Sequence, residues 1–331
     1  MRRMSPVAPA GERGAVALLT AFFAVVMVVM AALVVDIGAL HDERRQLQNG
    51  ADAAALAIAH SCAEGTCPAN PKLFAASLAD GNALDGATTI VSVDVNIGTK
   101  KVTVQTETKS KNGDTILPYF FAQAFTGDDG ATVHAKATAT WAGVGRANVI
   151  PLVMSSCEWT SATKNGKTFN DPTVIYFHAG TKGGGKKSGD CAAPAGQDTD
   201  GDHRLAGGFG WVTSTDCTVN ITSDTNIQES ADPGTSAPKA CESRLYQMAS
   251  QQQIVLLPIF DDLWNTGSNG MYHIYGFAEF RLTGYRFPSL DYNAPCSKGD
   301  TCLGGYFTRY VSAADAVGGP DLGARTVKLV S

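Results

Sequence analysis

The sequence predicts an α+β protein in three parts: a long N-terminal transmembrane helix, a small antiparallel-sheet α+β module, and a disulfide-stapled, mostly-β domain. Three observations predict it. Residues 15–35 carry no charge, the residues after them continue with helical periodicity, and the rest of the chain alternates apolar with polar residues in short segments punctuated by cysteines. At 331 residues, with 44% hydrophobic and 17% charged residues, the chain has apolar mass for substantial cores.

The first element is the run from Ala15 to Val35, "AVALLTAFFAVVMVVMAALVV", in which only Thr20 is polar. As a helix it measures about 30 Å, the thickness of a bilayer's hydrocarbon core. A cleaved signal peptide is the alternative, but its apolar region is shorter, about 7 to 15 residues, and leads into non-helical chain. Here the continuation is strongly helical. Arg2, Arg3 and Arg13 precede the run and Arg44 and Arg45 follow it, so arginine placement alone barely orients the span. Cysteine usage orients it better: all eight cysteines lie after the run, an even number suited to disulfides outside the reducing cytoplasm. Residues 1–14 are therefore expected in the cytoplasm and the body outside, in a single-pass membrane protein. The net charge of −5, borne by an acidic body behind a basic tail, argues against nucleic acid as a partner.

Beyond Asp36 the helix pattern persists to about residue 60. Leu40, Leu47, Ala51, Ala54, Ala55 and Ile58 fall on one side, while Asp42, Glu43, Arg45, Gln46 and Asn49 take the others. Asp42 and Arg45 are spaced for an i,i+3 pair and Gln48 and Asp52 for an i,i+4 contact. Alanine combines the highest intrinsic helicity with a surface that lets another backbone approach closely. The stripe is read as an intermolecular contact, the alternative being that it packs on the chain's own domain.

The strings "ERGAVALL" and "VVDIGALHDERRQLQNGADAAALAIA", followed soon by a cysteine, resemble the N-terminal segment of the Tad/Flp pilus-assembly proteins of the TadE/TadG-like group. The resemblance rests on Val35, Asp36, Gly38, Arg45, Leu47, Gln48, Asn49, Ala51, Asp52, Ala53, Ala54, Ala55, Leu56 and Ala57, and covers about fifty residues. It implies a pilin-like helix whose partners are the bilayer and other pilus-assembly or envelope proteins. Members processed like prepilins resemble a site with Glu five residues after Gly; here Leu19 stands five after Gly14, so processing there is not expected. Other TadG-like members carry a von Willebrand type A domain with an Asp-x-Ser-x-Ser metal site. That string is absent here, so the chain resembles a shorter relative without the module.

Residues 61–145 form the expected small α+β module. "PKLFAASLADGNAL" reads as a helix opened by Pro71 and ended by Gly81, with Leu73, Phe74 and Leu78 as its apolar contacts. "TTIVSVDVN" and "KVTVQTETK" alternate on either side of "IGTK" as a hairpin, "ILPYFFAQAF" reads as an aromatic-rich helix, and "ATVHAKATATWA" returns to alternation. Residues 146–331 form the expected β-rich domain, with candidate strands at "NVIPLVM", "TVIYFHA", "GFGWVT", "QIVLLPIFD", "MYHIYGFAEFRLTGYRF", "GGYFTRYVS" and "RTVKLVS". Cys62 and Cys67, and likewise Cys296 and Cys302, lie close together in Gly-containing turns that favour short bridges. Cys157, Cys191, Cys217 and Cys241 allow three connectivities, of which 157 with 191 and 217 with 241 each enclose one long polar loop. Zinc is disfavoured because the cysteines are widely spread and no CxxC occurs.

Two motifs invite over-reading. "AGTKGGGKKSG" places Gly180, Gly185 and Lys186 at phosphate-loop spacing, but Lys187 stands where a hydroxyl is needed and no helix pattern follows. Asp198, Asp200 and Asp202 alternate as in calcium loops, yet His203 and Phe209 replace the Gly and Glu of an EF-hand. A solvated acidic turn is the favoured reading and a stabilising ion the alternative. Neither "GxSxG" nor "HExxH" occurs; among His41, His60, His134, His178, His203 and His273, His178 with Asp261 and Asp262 is the candidate acid/base set, and hydrogen bonding at strand termini is the favoured reading of these residues. No enzyme activity and no cofactor are expected. The expected function is a membrane-anchored, non-enzymatic pilus-assembly or minor pilin-like component acting in adhesion. An anchored adhesin or ligand-binding protein, using polar loops 161–172, 180–205 and 223–240, is the alternative, and a tethered hydrolase ranks below both.

Overall fold

The computed structural model describes residues 13–84, 86–110, 112–177, 191–192, 204–205, 208–223, 228–232, 234, 236–264, 269–311 and 316–330. One unbroken helix, α1 (Arg13–Ala63), contains the whole apolar run and its amphipathic continuation, 51 residues or about 75 Å of rod. Among the described residues it is the one helix long and apolar enough to cross a membrane.

After the helix, α2 (Pro71–Asp80) starts where Asn70 accepts the Leu73 N–H at 3.2 Å and Pro71 supplies its preset φ. β1 (Thr88–Asn96) and β2 (Lys101–Thr108) form the expected hairpin, Val95 opposite Val102. An arm follows: β3 (Leu117–Pro118), the single turn α3 (Gln123–Thr126) and β4 (Gly130–Ala131). The aromatic helix expected over 116–125 is thus mostly absent, because Pro118 lacks an N–H and biases Leu117 to extended backbone. β5 (His134–Val149) then runs through the middle of the molecule.

The remainder comprises β6 (Leu152–Ser155), α4 (Ser156–Thr163), β7 (Thr173–Tyr176), β8 (Cys191–Ala192), β9 (Arg204–Leu205), β10 (Phe209–Val212), β11 (Val219–Thr222), β12 (Gln228–Asp232) and α5 (Glu242–Ser250). After α5 come β13 (Ile254–Trp264), β14 (Met271–Phe287), β15 (Leu290–Tyr292), β16 (Cys302–Thr308), β17 (Tyr310–Val311), β18 (Ala316–Gly319) and β19 (Ala324–Val330). Helices α4 and α5 add to the β-rich reading of this region, in which only strands were expected. Both had local signals: Ser155 caps α4 by accepting the Cys157 N–H, with Glu158 in the first turn, and α5 buries Leu245, Met248 and Ala249 at helical spacing.

Two sheets carry the cores. The first has the order β1-β2-β5-β19-β17, with β11 and β18 also paired to β5. The second has the order β12-β10-β6-β13-β14-β16-β7, and β12 pairs with β14 as well, closing five strands into a ring. The boundary expected between residues 145 and 146 falls inside β5, and the first sheet is completed by β11, β17, β18 and β19 from the far end of the sequence. β19 lies antiparallel to β5, Leu329 opposite Ala139, since the helix-covered sheet needs an edge partner there and the alternation of β19 fits it. The front of β5 buries Ala137, Ala139 and Trp141 against the helices, and its rear buries Val144, Ala147 and Val149 in the core shared with the second sheet.

Candidate functional site

The site begins with the alanine stripe of α1. Leu47, Ala51, Ala54, Ala55, Ile58 and Ala59 are all buried, packed on β2, β5 and α2 together with Val102, Val104, Ala75 and Ala79. This corrects the reading of the stripe as an intermolecular contact: its own domain covers it. Small residues make the approach close, since a Cβ on Gly50 would lie 3.2 Å from Ala79 Cα. The same closeness explains why α2 buries Ala75 and Ala79 while Leu73 and Phe74, expected as contacts, face solvent. Two polar ties fix the register. Thr106 Oγ1 donates to the Leu47 carbonyl at 3.1 Å, and Gln48 Nε2 donates to Asp52 Oδ1 at 2.8 Å and to the Lys136 carbonyl at 3.2 Å. Asp42 accepts from Gln46 Nε2 at 2.9 Å.

The residues that carried the family resemblance divide by role. Leu47, Ala51 and Asp52 belong to the docking seam and Gln48 ties it to β5, whereas Val35, Gly38, Arg45 and Asn49 are exposed on the free faces of α1. Asp36 is different: one residue past the apolar run, it is only 4% exposed. Its carboxylate accepts the backbone N–H groups of Phe120 at 2.8 Å, Phe121 at 3.0 Å and Ala122 at 2.5 Å. Burial pushes its pKa up, but the three amide hydrogen bonds outweigh that and hold it below the usual carboxylate value. At the opposite end, Arg325 Nη1 donates to the Ala63 carbonyl, satisfying one of the last carbonyls of the helix. Thus α1 is gripped by side chains or backbone of the body at both ends of its amphipathic half.

Near that far end lies a cleft of about 470 Å³ lined by Trp159, Asn165, Phe169, Tyr275, Arg309 and Asp321, among others. The Arg309 guanidinium stacks over Phe169 at 4.6 Å and donates to the Gly166 carbonyl at 3.3 Å. Burial and the neighbouring Arg325 lower the Arg309 pKa. Burial raises that of Asp321, but its hydrogen bonds from Arg325, with Lys100 3.8 Å away, bring it below the usual value. The cleft therefore combines aromatic walls with paired charges.

Asp261 is paired with His273: His273 Nδ1 hydrogen-bonds Asp261 Oδ1 across β13 and β14, with Asp261 almost fully buried. Burial drives the Asp261 pKa up, and the His273 hydrogen bond acts against it. His178 and His203 lie outside the described residues, as do Gly180, Gly185 and Lys186 and the acidic triplet Asp198, Asp200 and Asp202. Among the described residues no group of three or more His, Cys, Asp and Glu side chains is placed to hold a metal. Disulfides join Cys62 to Cys67, Cys217 to Cys241 and Cys296 to Cys302. Cys157 is disulfide-bonded too, and the Cys191 side chain is outside the described set.

Residues 14–60 match the model of a family described as putative Flp pilus-assembly TadE/G-like. The match spans the apolar run, the Asp36 cap and most of the docking seam, and ties this segment to a pilus-assembly-related role. No curated protein and no solved structure matches the chain significantly.

Proposed function

We infer that this protein is a non-enzymatic component of a Tad/Flp-type pilus assembly system, held in the membrane by α1 with its N-terminus in the cytoplasm and its body outside. The observation that carries the reading is the coincidence of the matched segment with one mechanical unit. Residues 14–60 contain both the apolar run and the stripe by which the body grips it, so the helix and body move as one piece relative to the bilayer. Such a unit suits a scaffold that presents a rigid domain at a fixed height above the membrane. The disulfides support the outside placement of the body.

Deleting the gene is expected to abolish piliation or pilus-dependent adhesion, and labelling from the two sides of the membrane is expected to place Arg2, Arg3 and Arg13 inside. Normal piliation in the deletion strain would overturn the assignment, and labelling of the tail from outside would reverse the topology.

The cleft beside Arg309 favours a second reading, an anchored ligand-binding protein. Its walls include Asn165, Gly166 and Phe169 from the polar loop 161–172. Under that reading Arg309→Ala weakens adhesion while piliation stays normal.

A further inference from the structure

We propose that the tip of the β3–β4 arm is a second membrane contact, with Phe120 and Phe121 seated in the interfacial layer of the outer leaflet beside the span. The inference rests on reading residues 15–35 of α1 as membrane-spanning. Asp36 is the first residue after that run, and its carboxylate holds the backbone of residues 120–122 within hydrogen-bond distance. The tip is therefore fixed at the height where the hydrocarbon ends. At that height Phe120 is 69% exposed and Phe121 48%. Aromatic side chains at this level match the interfacial belt of membrane proteins, whereas in water two adjacent exposed rings on one loop would gain nothing from exposure.

The span itself supplies an independent observation. Ala32, one turn below Asp36 on the same face, is 9% exposed, and Val29 is also partly covered, whereas Val28, Met30 and Val34 are open. Coverage of α1 on the Asp36 face thus extends below the end of the apolar run, not only above it. The backbone of the arm is also prepared for a water-poor layer. Tyr119 N–H donates to the Asp129 carbonyl at 3.1 Å, β3 pairs with β4, and the orphan N–H groups before α3 are taken by Asp36. The base of the arm is closed by the Thr108 N–H to the Val133 carbonyl at 3.0 Å. Lipid is the occupant because the exposed rings are continuous with the span through Asp36; the arm's carboxylates, Asp128 and Asp129, lie after α3, where Asp129 Oδ1 accepts from Gln123 Nε2 at 2.7 Å.

The test places a photoreactive benzoylphenylalanine at position 120, 121, 28 or 84 of the full-length protein in vesicles of phosphatidylethanolamine and phosphatidylglycerol. Position 84 is the control above the membrane: Leu84 is 85% exposed, and its N–H donates to Gln46 Oε1, ten residues or about 15 Å beyond Asp36. Lipid adducts at 120 and 121 within a few-fold of those at 28, and at least tenfold above those at 84, are expected. Adducts at 28 with none at 120 and 121 would sink the arm contact while leaving the span intact. No adduct at 28 would sink the span reading as well. In whole cells, adducts from 120 and 121 to protein in place of lipid would overturn the proposal in favour of a protein partner.

Discussion

Asp36 Oδ2 accepts the backbone N–H of Ala122 at 2.5 Å, joining the end of the membrane-length run to a loop 86 residues further along the chain. Together with the amides of Phe120 and Phe121, this bond turns the first residue beyond the apolar run into the seat of the arm.

Removing that seat is expected to free the arm without unfolding the sheets. In Asp36→Ala, hydrogen exchange at the amides of 120–122 should accelerate at least tenfold while protection in β2 and β5 is retained. The pH dependence follows from the sign of the shift. The folded pKa lies below the ordinary value of 3.8, so the stabilisation is fully present above 3.8 and is lost as pH falls through the lower folded value. Protection of these amides should thus persist at pH 5 and fade only in stronger acid; fading already between pH 6 and 5 would contradict the cap.

Gly50 tests the closeness of α1 and α2. Replacing glycine inside a helix by alanine gains about 1 kcal/mol of propensity, but the new methyl would sit 3.2 to 3.4 Å from Ala79 atoms. The two effects should nearly cancel in Gly50→Ala. Gly50→Leu has no room and is expected to cost about 1–3 kcal/mol as overpacking. Thermal unfolding of the detergent-solubilised protein measures both, and an unchanged Tm in Gly50→Leu would mean that the helices are not in contact.

The Asp261–His273 pair predicts a double-mutant cycle. Burial raises the Asp261 pKa, so its ionisation works against folding as pH rises above the ordinary carboxylate value, and His273 offsets this. His273→Ala strands a buried carboxylate and should cost about 3 kcal/mol at pH 7, with stability recovering as the buffer is acidified. Adding Asp261→Asn should return most of the loss. A double variant as unstable as His273→Ala would show that packing, not charge, dominates.

The Cys217–Cys241 bridge closes a sequence separation of 24 residues. On the loop-entropy account its removal destabilises the body by about 3 kcal/mol. Cys217→Ser with Cys241→Ser should lower the denaturation midpoint of the oxidised protein to that extent, and reduction should have no further effect at this bridge. Urea titration followed by the fluorescence of the buried Trp211 reads it.

Much of the outline is local and was legible. An uncharged run of helix length, the hairpin alternation around "IGTK" and the Asn70–Pro71 start of α2 are each decided within a few residues. The missed helices α4 and α5 also had local signals, overshadowed by the β-rich sequence around them. Misassigned residues fall where the deciding contact is remote. Leu73 and Phe74 have the hydrophobicity of core residues, yet the tight Gly50–Ala79 approach turns α2 so that its alanines face inward.

The sequence by itself determined that a membrane-length helix continues as an amphipathic shaft with one face that must leave water. Only the tertiary structure decided what covers that face: the chain's own β2, β5 and α2, an arm returning to Asp36, and β19 arriving from the C-terminal end to complete the sheet. The reason is that periodicity records which side of an element avoids solvent, a property of consecutive residues. The partner surface is set by close packing and backbone hydrogen bonding between segments far apart in the chain, and no local pattern specifies that choice.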